Sequence, residues 1–140
     1  MKKFEYFDVT ADIGFYAYGN NLNDAFENAG LAMFNIISNT DKIKPSKSIT
    51  FDIVSEDEVS LLYDYLEELL FYHEVEFMLF ADFSVHIERT DDVFMLTATI
   101  AGEDINWNRH ERKCEIKAIT FHQMEVRSDD GVMLKAIVDL

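Results

Sequence analysis

Apolar positions along the chain recur at two periods, and the switches between them divide it into elements. Over 48–54, Ile49, Phe51 and Ile53 stand on one parity and Ser48, Thr50 and Asp52 on the other, which predicts a half-buried strand. Residues 4–8 and 13–18 read as two shorter strands joined by a bend at Val9-Thr10-Ala11-Asp12. Gly19-Asn20-Asn21 breaks that pattern, and Ala25, Phe26, Ala29, Met33, Phe34 and Ile37 then follow at helical spacing. Asn21 is placed as an N-cap with Asp24 in the favourable first turn, so a helix is predicted over 22–38. The polar stretch 39–48, which holds the single proline Pro45, is a connection.

Ser55-Glu56-Asp57-Glu58 carries a capping-box signature and opens a second predicted helix, which runs to about residue 77 with Leu62, Leu66, Leu69 and Leu70 facing the core. Phe83, Val85 and Ile87, then Phe94, Leu96, Ala98 and Ile100, alternate on either side of a turn at Thr90-Asp91-Asp92. Residues 102–113 read as a polar loop with Trp107 and His110. Strands over 115–127 and 132–139 close the chain, joined by a hairpin at Ser128-Asp129-Asp130-Gly131. The order is ββαβαββββ, an α+β class in which two helices pack on a mixed or antiparallel sheet. The length of 140 residues suits one domain, 1–140.

Twelve Phe, six Tyr and one Trp supply the bulk of a true core, which excludes a disordered chain. The net charge of −15 disfavours direct nucleic-acid binding and suits a basic protein partner or a cation. One cysteine, Cys114, rules out an internal disulfide and a cysteine-rich zinc site. No apolar run is long enough to span a membrane, and the first residues do not read as a signal peptide, so a cytoplasmic location is expected.

Recognisable catalytic motifs are absent. There is no phosphate-binding glycine loop and no G-x-S-x-G, and His110-Glu111-Arg112-Lys113-Cys114 lacks the second histidine of H-E-x-x-H. Thr10-Ala11-Asp12-Ile13-Gly14 puts a carboxylate in a bend. This is a local turn device or, with partners, a hard-cation ligand. Val138-Asp139-Leu140 offers further oxygen donors, and Asp12 and Asp139 would converge if the first and last strands are neighbours. Over 115–127 the even positions, including His122, form the apolar parity. His122 is therefore read as a hydrogen-bonded core residue, and Lys117 as an outward lysine that could share a face with Asp139. His110, in the polar loop, is a secondary candidate for contact with a ligand or partner. His73 and His86 read as surface residues. Asp64, Glu67 and Glu68 share one side of the second helix and read as a solvated acidic face.

Taken together, these segments resemble the archease family. The resemblance is carried by Thr10-Ala11-Asp12-Ile13-Gly14, Asn23-Asp24-Ala25-Phe26-Glu27-Asn28-Ala29 with Met33-Phe34, and Ser60-Leu61-Leu62-Tyr63-Asp64-Tyr65-Leu66. It continues through Gly102-Glu103, His110, Glu115-Ile116-Lys117-Ala118-Ile119-Thr120-Phe121-His122 and Val138-Asp139-Leu140, over nearly the whole chain. It implies an accessory protein, not itself an enzyme, that promotes guanylylation and repeated turnover of the RNA ligase RtcB in tRNA splicing and RNA repair. It also implies a divalent-metal site on Asp12, Asp139 and Leu140, with calcium the first choice and magnesium or manganese as alternatives, and an important role for Lys117. A chaperone-like modulator of a tRNA cytosine methyltransferase is the alternative role, and a metal-dependent phosphoester hydrolase a more distant one. Val9 stands where the family usually has His, and Asn39 where Asp is common, so the implied metal site is a lean one.

Overall fold

Asn21 opens the first helix as its sequence predicts, its side chain accepting the Asp24 N–H at 2.9 Å. The computed structural model describes residues 2–140. The predicted order ββαβαββββ holds: β1 (Phe4–Val9), β2 (Asp12–Gly19), α1 (Leu22–Ile37), β3 (Lys47–Ser55), α2 (Glu58–Val75), β4 (Met78–Thr90), β5 (Val93–Asp104), β6 (Ala118–Ser128) and β7 (Val132–Asp139). A short 3-10 helix, Thr40–Lys42, follows α1. The strands divide between two antiparallel sheets, ordered β1-β2-β7-β6 and β3-β5-β4. Among the described residues no helix is long and apolar enough to cross a membrane.

Helix α1 packs on both β2 and β4, which explains why its burial is broader than one stripe: Ala25, Phe26, Ala29, Gly30, Ala32, Met33, Phe34, Ile36 and Ile37 are all buried. It also closes the outer edge of the second sheet. Asn23 Oδ1 accepts the Ile87 N–H and Glu27 Oε2 accepts the Val85 N–H, each at 2.9 Å, so two main-chain donors on the edge strand β4 are satisfied by side chains. Helix α2 packs on β3 and β6, with Leu61, Leu62, Tyr65, Leu66 and Leu69 fully buried. Its N-cap is Asp57, which accepts the Ser60 N–H at 2.7 Å. Ser55, read from sequence as the start of a capping box, instead ends β3 and donates to Asp64 Oδ2 at 2.7 Å.

Three boundaries differ from the sequence pattern. Strand β4 starts at Met78, where Met78, Leu79 and Phe80 are consecutively buried and hide the alternation. Strand β5 runs on to Asp104, so Gly102 and Glu103 belong to the sheet rather than to a loop. Strand β6 starts at Ala118 rather than 115, because the Lys113 and Cys114 N–H groups bond to the carbonyls of Ile37 and Ile36 at the end of α1.

Strand β6 also carries the largest departure from simple alternation. Thr120 faces Ile137 and Glu125 faces Lys135, so the ladder skips three more residues on β6 than on β7, with Gln123 at φ 55°. An odd number of inserted residues reverses which parity faces the core. Ile119 and Met124 are buried, whereas Phe121 and His122 are exposed. His122 is therefore a surface residue beside Gln123 rather than a core histidine. Phe121 stacks face to face on Tyr63 of α2, with ring centroids 3.8 Å apart.

Candidate functional site

The β1–β2 connection is the two-residue bend Thr10-Ala11, with Ala11 in the left-handed region at φ 64°. It sets Val9 opposite Asp12. On the other side of β2, Asp12 stands opposite Asp139, and Asp139 in turn stands opposite Ala118 of β6. One row, Val9–Asp12–Asp139–Ala118, thus crosses all four strands of the first sheet. Directly opposed antiparallel residues share a face, with Cβ atoms about 5 Å apart, so the two carboxylates project side by side. Both residues are half-buried.

Among the described residues no Lys, Arg or His is ion-paired with Asp12 or Asp139. Lys135, which shares their face, is turned to other partners: its Nζ bonds Gln123 Oε1 at 2.9 Å and lies 5.6 Å from the Phe7 ring centre. Two unneutralised carboxylates side by side repel each other, and a cation between them removes that cost. Their oxygen chemistry fits a hard divalent ion. No group of three His, Cys, Asp or Glu side chains gathers anywhere among the described residues. Asp12 and Asp139 would therefore need main-chain oxygens, Leu140, water or a partner to complete a coordination shell.

Lys117 lies one residue before β6. Its N–H donates to the Asp139 carbonyl at 2.8 Å, while its side chain is exposed and the residue opposite Asp139 is Ala118. The shared Lys117–Asp139 face envisaged from parity is not formed. What the structure shows instead is a main-chain tie that holds the 113–117 segment against the end of β7.

His110 is placed away from the row. Its side chain is fully buried, Nδ1 accepts the Asn106 N–H at 2.9 Å, and Nε2 consequently carries the proton donated to Glu103 Oε2 at 3.0 Å. Both ring nitrogens are thus occupied, and His110 holds the 105–117 loop rather than facing a ligand. Glu103 also accepts from Arg109 and from the Lys44 N–H at 2.7 Å. Burial raises the Glu103 pKa, but the His110, Lys44 and Arg109 donors outweigh it and bring the value down to about 2. A carboxyl whose pKa falls on folding adds stability above its ordinary value of 4.5, and that stability is lost as pH falls toward 2. Glu103→Gln should therefore lower stability at pH 7 by about 2 kcal/mol, the scale of hydrogen bonds to a charged group. It should also flatten the acid limb between pH 4.5 and 2. Urea unfolding at a series of pH values checks both; parallel acid limbs in the two proteins would contradict this account.

His73 is likewise partly enclosed, with Nδ1 2.9 Å from the Met78 carbonyl and its ring edge-on to Phe34, whereas His86 is exposed as expected. On the acidic side of α2, Asp64 accepts from Ser55 Oγ at 2.7 Å.

Residues 4–140 match the model of the Archease protein family (MTH1598/TM1083). The chain belongs to the archease family. It is 51% identical over 141 residues to the protein archease of Methanothermobacter thermautotrophicus, with the whole of both chains covered. It is 42% identical to that of Pyrococcus furiosus, covering 99% of this chain and 98% of the other. The solution structure of Methanobacterium thermoautotrophicum protein 1598 superposes on it with a TM-score of 0.90 at 51% identity, covering all of both chains.

Val9 and Asn39, expected from the resemblance to leave the metal site lean, lie in different elements. Val9 is the apolar end of the carboxylate row, so a histidine there would stand directly beside Asp12. Asn39 caps the 3-10 helix, accepting the Asp41 N–H at 3.1 Å.

Proposed function

We propose that this archease-family chain is an accessory protein of the RNA ligase RtcB, acting through one divalent cation held at Asp12, Asp139 and Leu140. The observation that carries this reading is the unneutralised Asp12–Asp139 pair in one cross-strand row, in a chain of the archease family. Calcium is the first candidate for the ion, since flexible carboxylate and carbonyl oxygen shells suit it, with magnesium or manganese as alternatives. When bound, such an ion would offset negative charge on phosphate oxygens during guanylylation of the ligase.

The remaining residues fit an assisting role better than a catalytic one. His110, the histidine nearest a motif, has both ring nitrogens occupied, and beside the two carboxylates their row holds only Val9 and Ala118, neither a nucleophile nor an acid. The role of Lys117 is to hold the 113–117 segment at the site through its main chain and to present an ammonium to the partner. The charge of −15 speeds encounter with a basic protein and repels nucleic acid, so the client is the enzyme rather than its RNA.

Guanylylation and multiple-turnover ligation by purified RtcB, measured with and without this protein, test the reading. Both should rise in its presence. No change in either would end it, and a response confined to a tRNA cytosine methyltransferase would transfer the assisting role to that enzyme.

A further inference from the structure

The end of α2 contains a residue that local physics does not select. Glu76 caps the helix, its N–H bonding the Tyr72 carbonyl at 3.1 Å, and Phe77 then takes the left-handed conformation at φ 56°. That position after a helix favours glycine, because a Cβ is strained there. Phe77 nevertheless gains no burial in return, since it is 66% exposed. Its carbonyl accepts the Ile105 N–H at 2.8 Å, so the backbone is held and the ring stands out from the surface. A strained residue that presents a large apolar ring to water is a sign of binding rather than of folding.

Its surroundings support that. Phe71 and Val75, one turn apart on α2, are 49% and 52% exposed and extend the apolar surface from Phe77. On its other side lies a cavity of about 560 Å³ between the end of α2 and the 105–117 loop, with Ile37, Ile105 and Trp107 among its walls. Two cations line it as well, each held in place but still charged: Arg112 lies 5.0 Å from the Trp107 ring centre, and Lys113 Nζ donates to the Asn35 carbonyl at 3.0 Å. The exposed carboxylates Glu74 and Glu115 remain at the rim, in a chain of net charge −15.

We propose that this groove is the docking site for a basic segment of the ligase, one that seats an apolar side chain between Phe77 and Trp107 and sets its cations against Glu74 and Glu115. The proposal rests on the reading of this chain as a ligase accessory protein, and says where the ligase is gripped. The cations and carboxylates of the groove balance, so it is the field of the whole chain, of net charge −15, that selects a basic protein segment over RNA, whose phosphates it repels. The 113–117 segment leads along the chain from the groove toward the carboxylate row. Lys113 and Cys114 are pinned to the end of α1, and Lys117, three residues beyond, is bonded to the Asp139 carbonyl.

The chain carries its own reporters, because its single tryptophan, Trp107, and its single cysteine, Cys114, both line the groove. Cys114 is exposed and open to N-ethylmaleimide. Adding RtcB should slow its alkylation and shift Trp107 emission. Phe77→Gly should melt at the same or a higher temperature than the parent, since glycine relieves the left-handed strain. The same variant should lose the protection of Cys114 and need at least about tenfold more protein for half-maximal stimulation of guanylylation, the scale of losing one interface anchor. Glu74→Lys, a surface change, should weaken stimulation in the same assay. If the parent stimulates RtcB but Cys114 stays unprotected and both variants work normally, the groove is not the grip and the accessory role stands. If the parent itself gives no stimulation, both fall. Protection of Cys114 by RNA alone would overturn the choice of a basic protein segment.

Discussion

Asp12→Asn should weaken calcium binding by at least about tenfold, taking the effect of losing a supporting residue at a metal site as the floor for losing a ligand. Stimulation of the ligase should fall with it. The substitution keeps the shape of the side chain and removes only its charge, so the β1–β2 bend and the pairing with Asp139 are retained. The sign of the stability change depends on the ion. In chelator, Asp12→Asn removes repulsion between two directly opposed carboxylates and should raise stability by up to about 1 kcal/mol. In excess calcium the parent gains stability by mass action and the variant does not, so the order reverses. Asp139→Asn should behave alike, and an extension after Leu140 should weaken binding where an N-terminal one does not. Calorimetric titration of these proteins with calcium and manganese decides the matter. Equal affinities in parent and variants would remove the carboxylate row as a metal site and leave it a destabilising pair without a purpose.

Gly102→Ala should produce the largest loss of stability of any single methyl addition to the second sheet. Gly102 lies on the central strand β5, paired with Lys47 on one side and Phe80 on the other. The β4 ladder shifts between Phe80 and Asp82, which presses the main chain of β4 toward Gly102. A Cβ on Gly102 would collide with the Leu79 carbonyl oxygen and come within 2.8 Å of the Phe80 Cα. These are backbone atoms whose side chains are fully buried, so neither can swing away. Relieving the overlap means straightening the kink or displacing Leu79 and Phe80 from the core. A cost of about 3 kcal/mol or more follows, at the upper end for overpacking. For a chain of this size that corresponds to roughly 10 °C in melting temperature. Gly14 makes a useful contrast, since the three atoms nearest a Cβ there all belong to the Phe7 ring, a side chain rather than main chain. Thermal unfolding of the two alanine variants should separate them clearly; a Gly102→Ala protein that melts with the parent would show that the kink is soft.

Much of the architecture was legible without coordinates because it is written in local periodicity. The α1 repeat from Ala25 to Ile37, the Asn21 cap and the strict alternation over 48–54 each depend on residues close in sequence. The resemblance to archeases likewise rests on short runs such as Thr10-Ala11-Asp12 and Val138-Asp139-Leu140. Those runs contain Asp12 and Asp139 but carry no information on how close the two lie in space. The sequence carries a warning against a core His122: strict alternation would bury this histidine and expose its neighbour Phe121, which is the reverse of what their side chains favour. The number of inserted residues, however, was visible only once β7 supplied the ladder against which to measure β6.

The sequence by itself determined which segments are strands and helices, where they turn, and that the chain is strongly acidic, because propensity, patterning and charge act over a few residues. Tertiary structure alone decided register. It set Asp12 opposite Asp139 and Ala118, rather than Lys117, in the same row; it buried His110 against Glu103; and it left Phe77 outside the core. Alternation says which side of a strand a residue faces, but the residue opposite it belongs to another strand. For Asp12 and Asp139 that partner lies at the far end of the chain, so the carboxylate pair exists only when β7 docks beside β2.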